Sequence, residues 1–203
     1  MTTTAIRDNI LAILPQTQCQ LCTYPSCKDY AAAVASKEAT IAQCHPGGLA
    51  VLRKISTITG IDDTPYRSQV ETQYKPPSRV RIDEAVCIGC TKCIQACPVD
   101  AIIGTSKAMH SIIPSECMGC DLCIPACPVD CIHPYPVAAP QHNTSYLAER
   151  FAEKTARLAS AQARKSQAHE QRKLGQSTTG AHQARQAAIQ AALARVKAKK
   201  DNP

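Results

Sequence analysis

The sequence is poor in large aromatic side chains and in long apolar runs. Of its 203 residues none is Trp and one is Phe, and aromatic residues make up 3%. The strongest aliphatic run, Ile10–Leu14, ends at Pro15, whereas a membrane-spanning helix needs about 20 apolar residues. The N-terminus lacks the basic start and the apolar stretch of a secretory signal. We therefore predict a cytoplasmic protein without a transmembrane segment.

Glycine-based nucleotide-binding motifs are absent as well. The eight glycines form neither GxGxxG nor GxxxxGK[ST], which are the usual sequence fingerprints of dinucleotide and phosphate binding. No pattern nominates a protein acid, base or nucleophile. The sequence leaves open whether the chain is an enzyme.

Cysteine is the abundant residue, and it is unevenly distributed. All 13 cysteines precede residue 132. Because disulfides do not persist in a reducing compartment, this density indicates metal ligands. Residues 141–203 carry 12 Lys and Arg against 4 Asp and Glu, a net charge of +8, while residues 1–140 have a net charge of −1. The chain thus divides into a Cys-rich body and a basic tail.

We predict an α+β protein in four parts. Residues 1–60 form a small helical domain with four metal-binding cysteines, and residues 61–78, which include two Pro-containing stretches, form a linker. Residues 79–140 carry the motif CxxCxxCxxxCP twice, ending at Pro98 and Pro128, which predicts a domain like the bacterial ferredoxins that hold two [4Fe–4S] clusters. Residues 141–203 form a basic, Ala- and Gln-rich tail that is helical or disordered.

The ferredoxin-like part contains an internal repeat with a period of 30 residues. Residues 87–102 and 117–132 are identical at 11 of 16 positions, which implies two copies of one unit related by a pseudo-two-fold axis. In each copy we expect a short strand, the Cys loop, about one helical turn ended by Pro98 or Pro128, and a return strand.

Each copy carries CxxCxxCxxxCP, the spacing typical of bacterial ferredoxins. The first three cysteines of a copy bind one cluster, and the fourth points to the other cluster. This rule gives two crossed [4Fe–4S] sites, and structural zinc and a disulfide framework are the disfavoured alternatives. The predicted ligands are Cys87, Cys90, Cys93 and Cys127 for one site, and Cys117, Cys120, Cys123 and Cys97 for the other.

A third set, Cys19, Cys22, Cys27 and Cys44, has a long last gap. Its spacing alone suits either a [4Fe–4S] cluster or zinc. Cys131 occupies the position of Ala101 in the repeat, so we predict a small buried residue on a return strand. Three histidines adjoin the cysteine segments, but cysteines already supply four ligands to each of the three sites. We therefore predict structural or surface roles for His45, His110 and His133.

Several segments together resemble the B subunit of the Rnf/Rsx electron-transport complex. The resemblance covers about residues 10–137 and rests on Leu14–Cys19, Tyr24–Cys27, Cys44–Gly48, Cys87–Ile102 and Ala108–His110. It implies three [4Fe–4S] clusters, including iron at the N-terminal set, and an electron-transfer role with redox proteins, among them membrane subunits of such a complex, as partners.

The chain also departs from this family. Glycine usually follows the first and second N-terminal cysteines, where Gln20 and Thr23 stand here, and Ser26 precedes Cys27. Family members usually begin with a membrane helix, which this chain lacks. It is therefore expected either to dock peripherally at the inner face of the plasma membrane or to act as a stand-alone soluble ferredoxin for cytosolic redox enzymes.

The spacing of apolar residues in the tail predicts two helices, each with a narrow apolar stripe. The stripes are Leu147, Phe151 and Leu158 on the first helix and Ile189, Leu193 and Val196 on the second. A hinge is predicted between the helices at residues 175–180. The simplest interpretation is a solvated helical tail. Its charge also suits an anionic membrane surface. Nucleic-acid binding is disfavoured, because no aromatic stacking set accompanies the charge.

Overall fold

The computed structural model describes residues 2–140, 143–176 and 179–200, and it divides the chain into two compact units, Met1–Lys154 and Thr155–Pro203. The architecture is mixed, with helices and two small sheets. In chain order the elements are α1 (Thr3–Ile13), α2 (Cys27–Ala35), α3 (Gly48–Thr59), α4 (Arg67–Thr72), β1 (Ser78–Ile82), α5 (Lys92–Ala96), β2 (Ile102–Ile103), β3 (Ser111–Ile112), β4 (Ile132–Pro136), α6 (Thr144–Gln176) and α7 (Thr179–Lys200).

The first part of the body is a small helical core. Side-chain oxygens cap two of its helices, because Thr2 accepts from the N–H of Ala5 and Ser26 accepts from the N–H of Asp29. α3 ends at Gly60, which takes the left-handed conformation. The helices enclose a core of aliphatic side chains around one buried tyrosine, namely Ile10, Leu14, Tyr30, Val34, Ile41, Leu52 and Ile55.

The segment predicted as a linker is partly structured. A 3₁₀ turn (Thr64–Tyr66) leads into α4. Val70 of α4 is only 3% exposed and belongs to the first core. The apolar surface of the helical part is therefore completed by residues from beyond position 60.

Two antiparallel pairs make up the sheets of the second part. β1 pairs with β4, from Ser78 opposite Pro136 to Ile82 opposite Ile132, and β2 pairs with β3 through Ile102 and Ile112. Strands thus form in the places where β-branched residues flank the Cys loops. A second core lies beneath them, and it combines Val80, Val99, Ile102 and Ile132 with five buried cysteines.

The two Cys loops differ at their helical turns. Residues 92–96 form α5, in which the N–H of Gln95 donates to the carbonyl of Thr91 at 3.2 Å. Pro125 stands at the equivalent position and has no N–H to donate. Residues 122–126 accordingly form turns instead of the helical turn predicted for the second copy.

The start of α6 belongs to the body. Leu147 is 4% exposed, and Arg150 donates through Nη2 to the carbonyl of Val99 at 2.9 Å. Lys154 is buried, pairs with Asp100 at 3.1 Å and donates to the carbonyls of Ile94 and Cys97. The sequence placed the start of the tail at residue 141, and the structure places the boundary between its units after Lys154.

The second unit consists of the remainder of α6 and of α7. Leu158, Ile189, Leu193 and Val196, all in the predicted stripes, are each more than half exposed. Of the predicted hinge, Ser177 and Thr178 lie outside the described residues. Among the residues that are described, no helix is long and apolar enough to cross a membrane.

Candidate metal centres

The N-terminal cysteines surround one cavity. Cys19 and Cys22 lie in the loop after α1, Cys27 begins α2 and Cys44 precedes α3. All four line a space of about 320 Å³, which His45, Tyr24 and Tyr30 also border. Residues separated by 25 positions in the chain are thus brought together by the packing of three helices.

The eight other predicted ligands divide between two further cavities. Cys87, Cys90, Cys93 and Cys127 line a space of about 260 Å³, called the Cys87 site below. Cys97, Cys117, Cys120 and Cys123 line a space of about 300 Å³, called the Cys117 site. Of these eight cysteines, each cavity therefore takes three from one copy of the repeat and one from the other copy, as the crossed rule predicts; Cys131 also lines the cavity of the Cys87 site.

Matching backbone conformations shape the two loops. Gly89 and Gly119 have φ of 67° and 73°, and Thr91 and Asp121 have φ of 64° and 61°. A Cβ at Gly89 would fall on the backbone of Ala108, and one at Gly119 would fall on the backbone of Ser78. Glycine is therefore required at both places by conformation and by close approach of a neighbouring chain segment.

Backbone N–H groups point at the cysteine sulfurs in the second part. The N–H of Ala101 donates to Cys97 Sγ at 3.3 Å, and the N–H of Cys131 donates to Cys127. The N–H of His110 donates to Cys87 Sγ at 3.4 Å. Such donors stabilise negative charge on a thiolate and so favour its role as a metal ligand.

Two glutamines that the sequence analysis overlooked organise the N-terminal site. Gln16 and Gln18 are both buried and left-handed, with φ of 56° and 48°, and their N–H groups donate to Cys27. The Gln18 side chain accepts from the Cys27 N–H at 2.9 Å and donates to Gln16, which donates in turn to the Leu11 carbonyl. The only sign of this arrangement in the sequence is the presence of two uncharged glutamines between Pro15 and Cys19.

The positions where the family usually has glycine are strained here. Gln20 and Thr23 directly follow two cysteines and have φ of 59° and 71°. This left-handed region is unfavourable for a side chain with a Cβ, above all for a β-branched one. Ser26 is the third residue that departs from the family pattern. Its side chain accepts a hydrogen bond as the N-cap of α2.

Burial dominates the acid–base behaviour of the thiols. It raises the pKa of Cys27 to about 11 and that of Cys123 to about 12, and it raises the pKa of Cys44 and Cys120 as well. At Cys27 the N–H groups of Gln18 and Gln16 act in the opposite direction. In the absence of metal these four thiols therefore stay protonated at neutral pH, and their ligation as thiolates must release protons.

His110 and Cys131 lie at the Cys87 site. His110 is 1% exposed, and its Nδ1 lies 3.3 Å from Cys93 Sγ. Cys131 is buried beside β4 with its Sγ 3.4 Å from Cys127 Sγ. His45 borders the N-terminal cavity, and His133 is exposed on β4.

The donor sets fit iron–sulfur clusters. A [4Fe–4S] cluster takes one cysteine thiolate on each of its four irons, and each cavity is bordered by at least four cysteines. Within the described part of the chain, no three His, Cys, Asp or Glu side chains form a site for one metal ion. When bound, such clusters supply one-electron redox chemistry, which the fold supports by burying the ligands and directing N–H donors at them.

The crossed cysteine sets and the small paired sheets define an iron–sulfur electron-transfer protein. The family model described as "4Fe-4S dicluster domain" matches residues 80–133, and the one described as "Putative Fe-S cluster" matches residues 14–46. Both lie where the sequence predicted cluster binding.

Relatives identify the family. The chain is 55% identical over 141 residues to the B subunit of the ion-translocating oxidoreductase complex of Shewanella loihica, an alignment that covers 70% of this chain and 73% of the relative. It is 56% identical over 130 residues to the same subunit of an Azoarcus species, with 64% and 70% covered. The chain belongs to the family of B subunits of the ion-translocating oxidoreductase complex, which confirms the resemblance found in the sequence.

Proposed function

We propose that the chain binds three [4Fe–4S] clusters and relays single electrons as the B subunit of an ion-translocating oxidoreductase complex. The observation that carries the proposal is the set of three cavities, of which two are bordered by four cysteines and the third, at the Cys87 site, by the four proposed ligands and Cys131. The ligands are Cys19, Cys22, Cys27 and Cys44 at the N-terminal site, Cys87, Cys90, Cys93 and Cys127 at the Cys87 site, and Cys117, Cys120, Cys123 and Cys97 at the Cys117 site.

The halves of the ferredoxin-like part are related by a pseudo-two-fold axis in this proposal. The repeated left-handed residues support it, because Gly89, Thr91 and Asp100 recur 30 residues later as Gly119, Asp121 and Asp130 with the same sign of φ. The symmetry would give each cluster the same loop and the same backbone donors. The helical part and the ferredoxin-like part then act as two cluster-binding domains.

Lys75 supports a path between these domains. Its N–H donates to the carbonyl of His45, next to Cys44, at 3.3 Å. Its Nζ donates to the carbonyl of Gly119, between Cys117 and Cys120, and pairs with Asp121 at 2.9 Å. One residue thus connects a ligand loop of the N-terminal site with the ligand loop of the Cys117 site. We propose the order N-terminal site, Cys117 site, Cys87 site along the relay.

Identifying the proteins that co-purify with the chain tests the proposed membership of the complex. The protein, tagged and purified anaerobically from its own cells, is recovered separately from membrane and soluble fractions, and its bound proteins are identified. The proposal predicts recovery with integral membrane redox subunits, on the cytoplasmic side of the membrane. Recovery only with soluble dehydrogenases or reductases would contradict it and would favour a stand-alone ferredoxin.

The basic second unit is proposed to support membrane association. Residues 155–203 carry 10 Lys and Arg against 2 Asp and Glu, and clusters of positive charge bind anionic lipid surfaces. Sedimentation with anionic vesicles at low and high salt tests this role. The full chain is expected to bind in a salt-dependent manner and a chain ending at residue 154 to bind less, whereas equal binding of both would contradict it.

A further inference from the structure

The two ferredoxin-like sites differ in two neighbours that the repeat makes equivalent. The 30-residue period pairs Val80 with His110 and Ala101 with Cys131. Val80 and Ala101 border the Cys117 site, whereas His110 and Cys131 border the Cys87 site. At equivalent places, one site has two side chains that can donate hydrogen bonds and the other has two that cannot.

His110 is fixed against the Cys87 site. Its Nδ1 lies 3.3 Å from Cys93 Sγ, and its backbone N–H donates to Cys87 Sγ. Its Nε2 is buried and has no hydrogen-bond partner among the described residues. The ring also packs closely over Gly104, where a Cβ would fall on the imidazole. The contact with sulfur and the packing over Gly104 together orient the imidazole.

Cys131 is similarly placed. Its Sγ lies 3.4 Å from Cys127 Sγ, and it also contacts the thiol of Cys87. Four other cysteines already border this cavity, so Cys131 is surplus to the ligand set. Its side chain is buried, in the core that the cysteines share with β4.

The direction of both hydrogen bonds follows from ligation. A cysteine that binds iron is a thiolate and has no proton to donate. His110 Nδ1–H must then be the donor to Cys93. Likewise the Cys131 S–H must be the donor to Cys127. The Cys87 site therefore receives two side-chain hydrogen bonds for which Val80 and Ala101 offer the Cys117 site no counterpart.

Ligand burial and the backbone donors after the fourth cysteine of each copy are closely matched between the two sites. In each site two ligand cysteines are buried and two are partly exposed once the fourth ligands are exchanged. The N–H of Ala101 at Cys97 has its equivalent in the N–H of Cys131 at Cys127. Lys75 and Lys154 lie near the Cys117 site, but each is paired with a carboxylate, of Asp121 and Asp100 respectively.

The loop charges reinforce the difference. The first loop has Thr91 and Lys92 where the second has Asp121 and Leu122. Asp121 is compensated by its pair with Lys75, so the remaining difference is the cation of Lys92 near the Cys87 site, which shifts the local potential toward stabilising an added electron there. Because Lys92 is exposed, solvent screens its contribution.

We propose that His110 and Cys131 give the Cys87 site a higher reduction potential than the Cys117 site, so that electrons entering the ferredoxin-like part settle at the Cys87 site. Reduction adds one negative charge to the cluster, and donors to the ligand sulfurs stabilise the reduced form more than the oxidised form. The inference rests on the proposed function, since it requires both sites to hold clusters. His110 and Cys131 are positioning residues and do not bind iron.

The test is an anaerobic redox titration of the full chain followed by electron paramagnetic resonance, on protein whose iron and sulfide contents have been measured first. His110→Val and Cys131→Ala copy the Cys117 site. Each substitution is expected to lower the reduction potential of the Cys87 site, and the two together are expected to lower it further. The reduction potentials of the other two sites are expected to stay unchanged. His110→Asn and Cys131→Ser, which keep a donor, are expected to restore part of the shift.

The reciprocal change keeps the proposal testable if these variants are unstable. Ala101→Cys introduces a thiol at the equivalent place of the Cys117 site. This variant is expected to raise the reduction potential of the Cys117 site and to leave the other two potentials unchanged. Unchanged potentials in cluster-loaded variants would overturn the inference. So would loss of the Cys87-site cluster in Cys131→Ala, because Cys131 would then be a ligand. A wild-type protein without three clusters would instead refute the proposed function itself.

Discussion

Thr23 holds its backbone at φ of 71° immediately after the ligand Cys22, although Thr is β-branched. Relief of this strain by Thr23→Gly should exceed the entropy that glycine adds to the unfolded chain, giving a gain of about 0.5 to 1 kcal/mol. We expect the visible absorbance of the cluster-loaded protein to be lost about 2 to 4 °C higher during anaerobic heating.

Thr57→Gly is the matched control for that change. Thr57 is an exposed residue inside α3 with a helical backbone, where glycine lowers helix stability. The same heating experiment should give a lower transition temperature for this variant. A decrease for both variants would contradict the interpretation that Thr23 is strained.

Cys97 is the residue that most directly tests the crossing of the two sites. It follows the first Cys loop in the chain but borders the Cys117 site. We expect Cys97→Ala to remove the cluster at that site, so that the thiols of Cys117, Cys120 and Cys123 become accessible to alkylation under anaerobic conditions. Mass spectrometry of the alkylated peptides measures this.

The same experiment carries its own control. Cys87, Cys90 and Cys93 should remain protected in Cys97→Ala and become reactive in Cys127→Ala. Protection of Cys117 together with reactivity of Cys87 in Cys97→Ala would mean that each copy of the repeat binds its own cluster.

The spacing of the cysteines predicts which of them lie together, but it does not predict which side chains from other parts of the chain contact them. Rules for CxxCxxCxxxCP relate spacing to ligand sets, so the arrangement of these cysteines around the two cavities was predictable. His110 reaches Cys93 across 17 residues, and its position depends on how the segment before β3 lies against the first Cys loop, where the His110 N–H donates to Cys87. Gln16 and Gln18 likewise form hydrogen bonds with Cys27. They do so from a turn in which both have a left-handed backbone, a conformation that local propensity does not favour.

At the scale of elements, the beginning of α6 stabilises the ferredoxin-like part. Lys154 pairs with Asp100 and donates to two carbonyls at the end of α5. Lys154→Met keeps the aliphatic stem but leaves those carbonyls without their buried donor, at a cost of about 2 kcal/mol. We expect an earlier thermal loss of cluster absorbance.

Lys165→Met on the same helix is the control. Lys165 is exposed, and surface substitutions of this kind change stability by about 0.5 kcal/mol or less. Equal effects of the two substitutions would show that the contacts of Lys154 contribute nothing to the stability of the ferredoxin-like part.

The elements also show where local sequence patterns are sufficient. β1, β2 and β3 form where β-branched residues indicated strands. The missing helical turn in the second copy follows from Pro125, whose lack of an N–H is visible in the sequence. α4 is harder to predict, because its burial in the first core arises from long-range packing of Val70.

At the scale of the whole molecule, the boundary between the two units predicts how the chain tolerates truncation. A chain of residues 1–154 keeps every contact of Arg150 and Lys154 with the body and should hold all its clusters. A chain of residues 1–140 loses these contacts and should lose cluster absorbance at a lower temperature. Identical thermal profiles of the two chains would contradict this view of α6.

The central claim, three [4Fe–4S] clusters in one chain, is tested most directly by the metal and sulfide content of the anaerobically purified full-length protein. Three clusters predict about 12 iron and about 12 acid-labile sulfide per chain, without zinc. About 8 iron with one zinc would contradict the claim and assign the N-terminal cysteines, Cys19, Cys22, Cys27 and Cys44, to a structural zinc site.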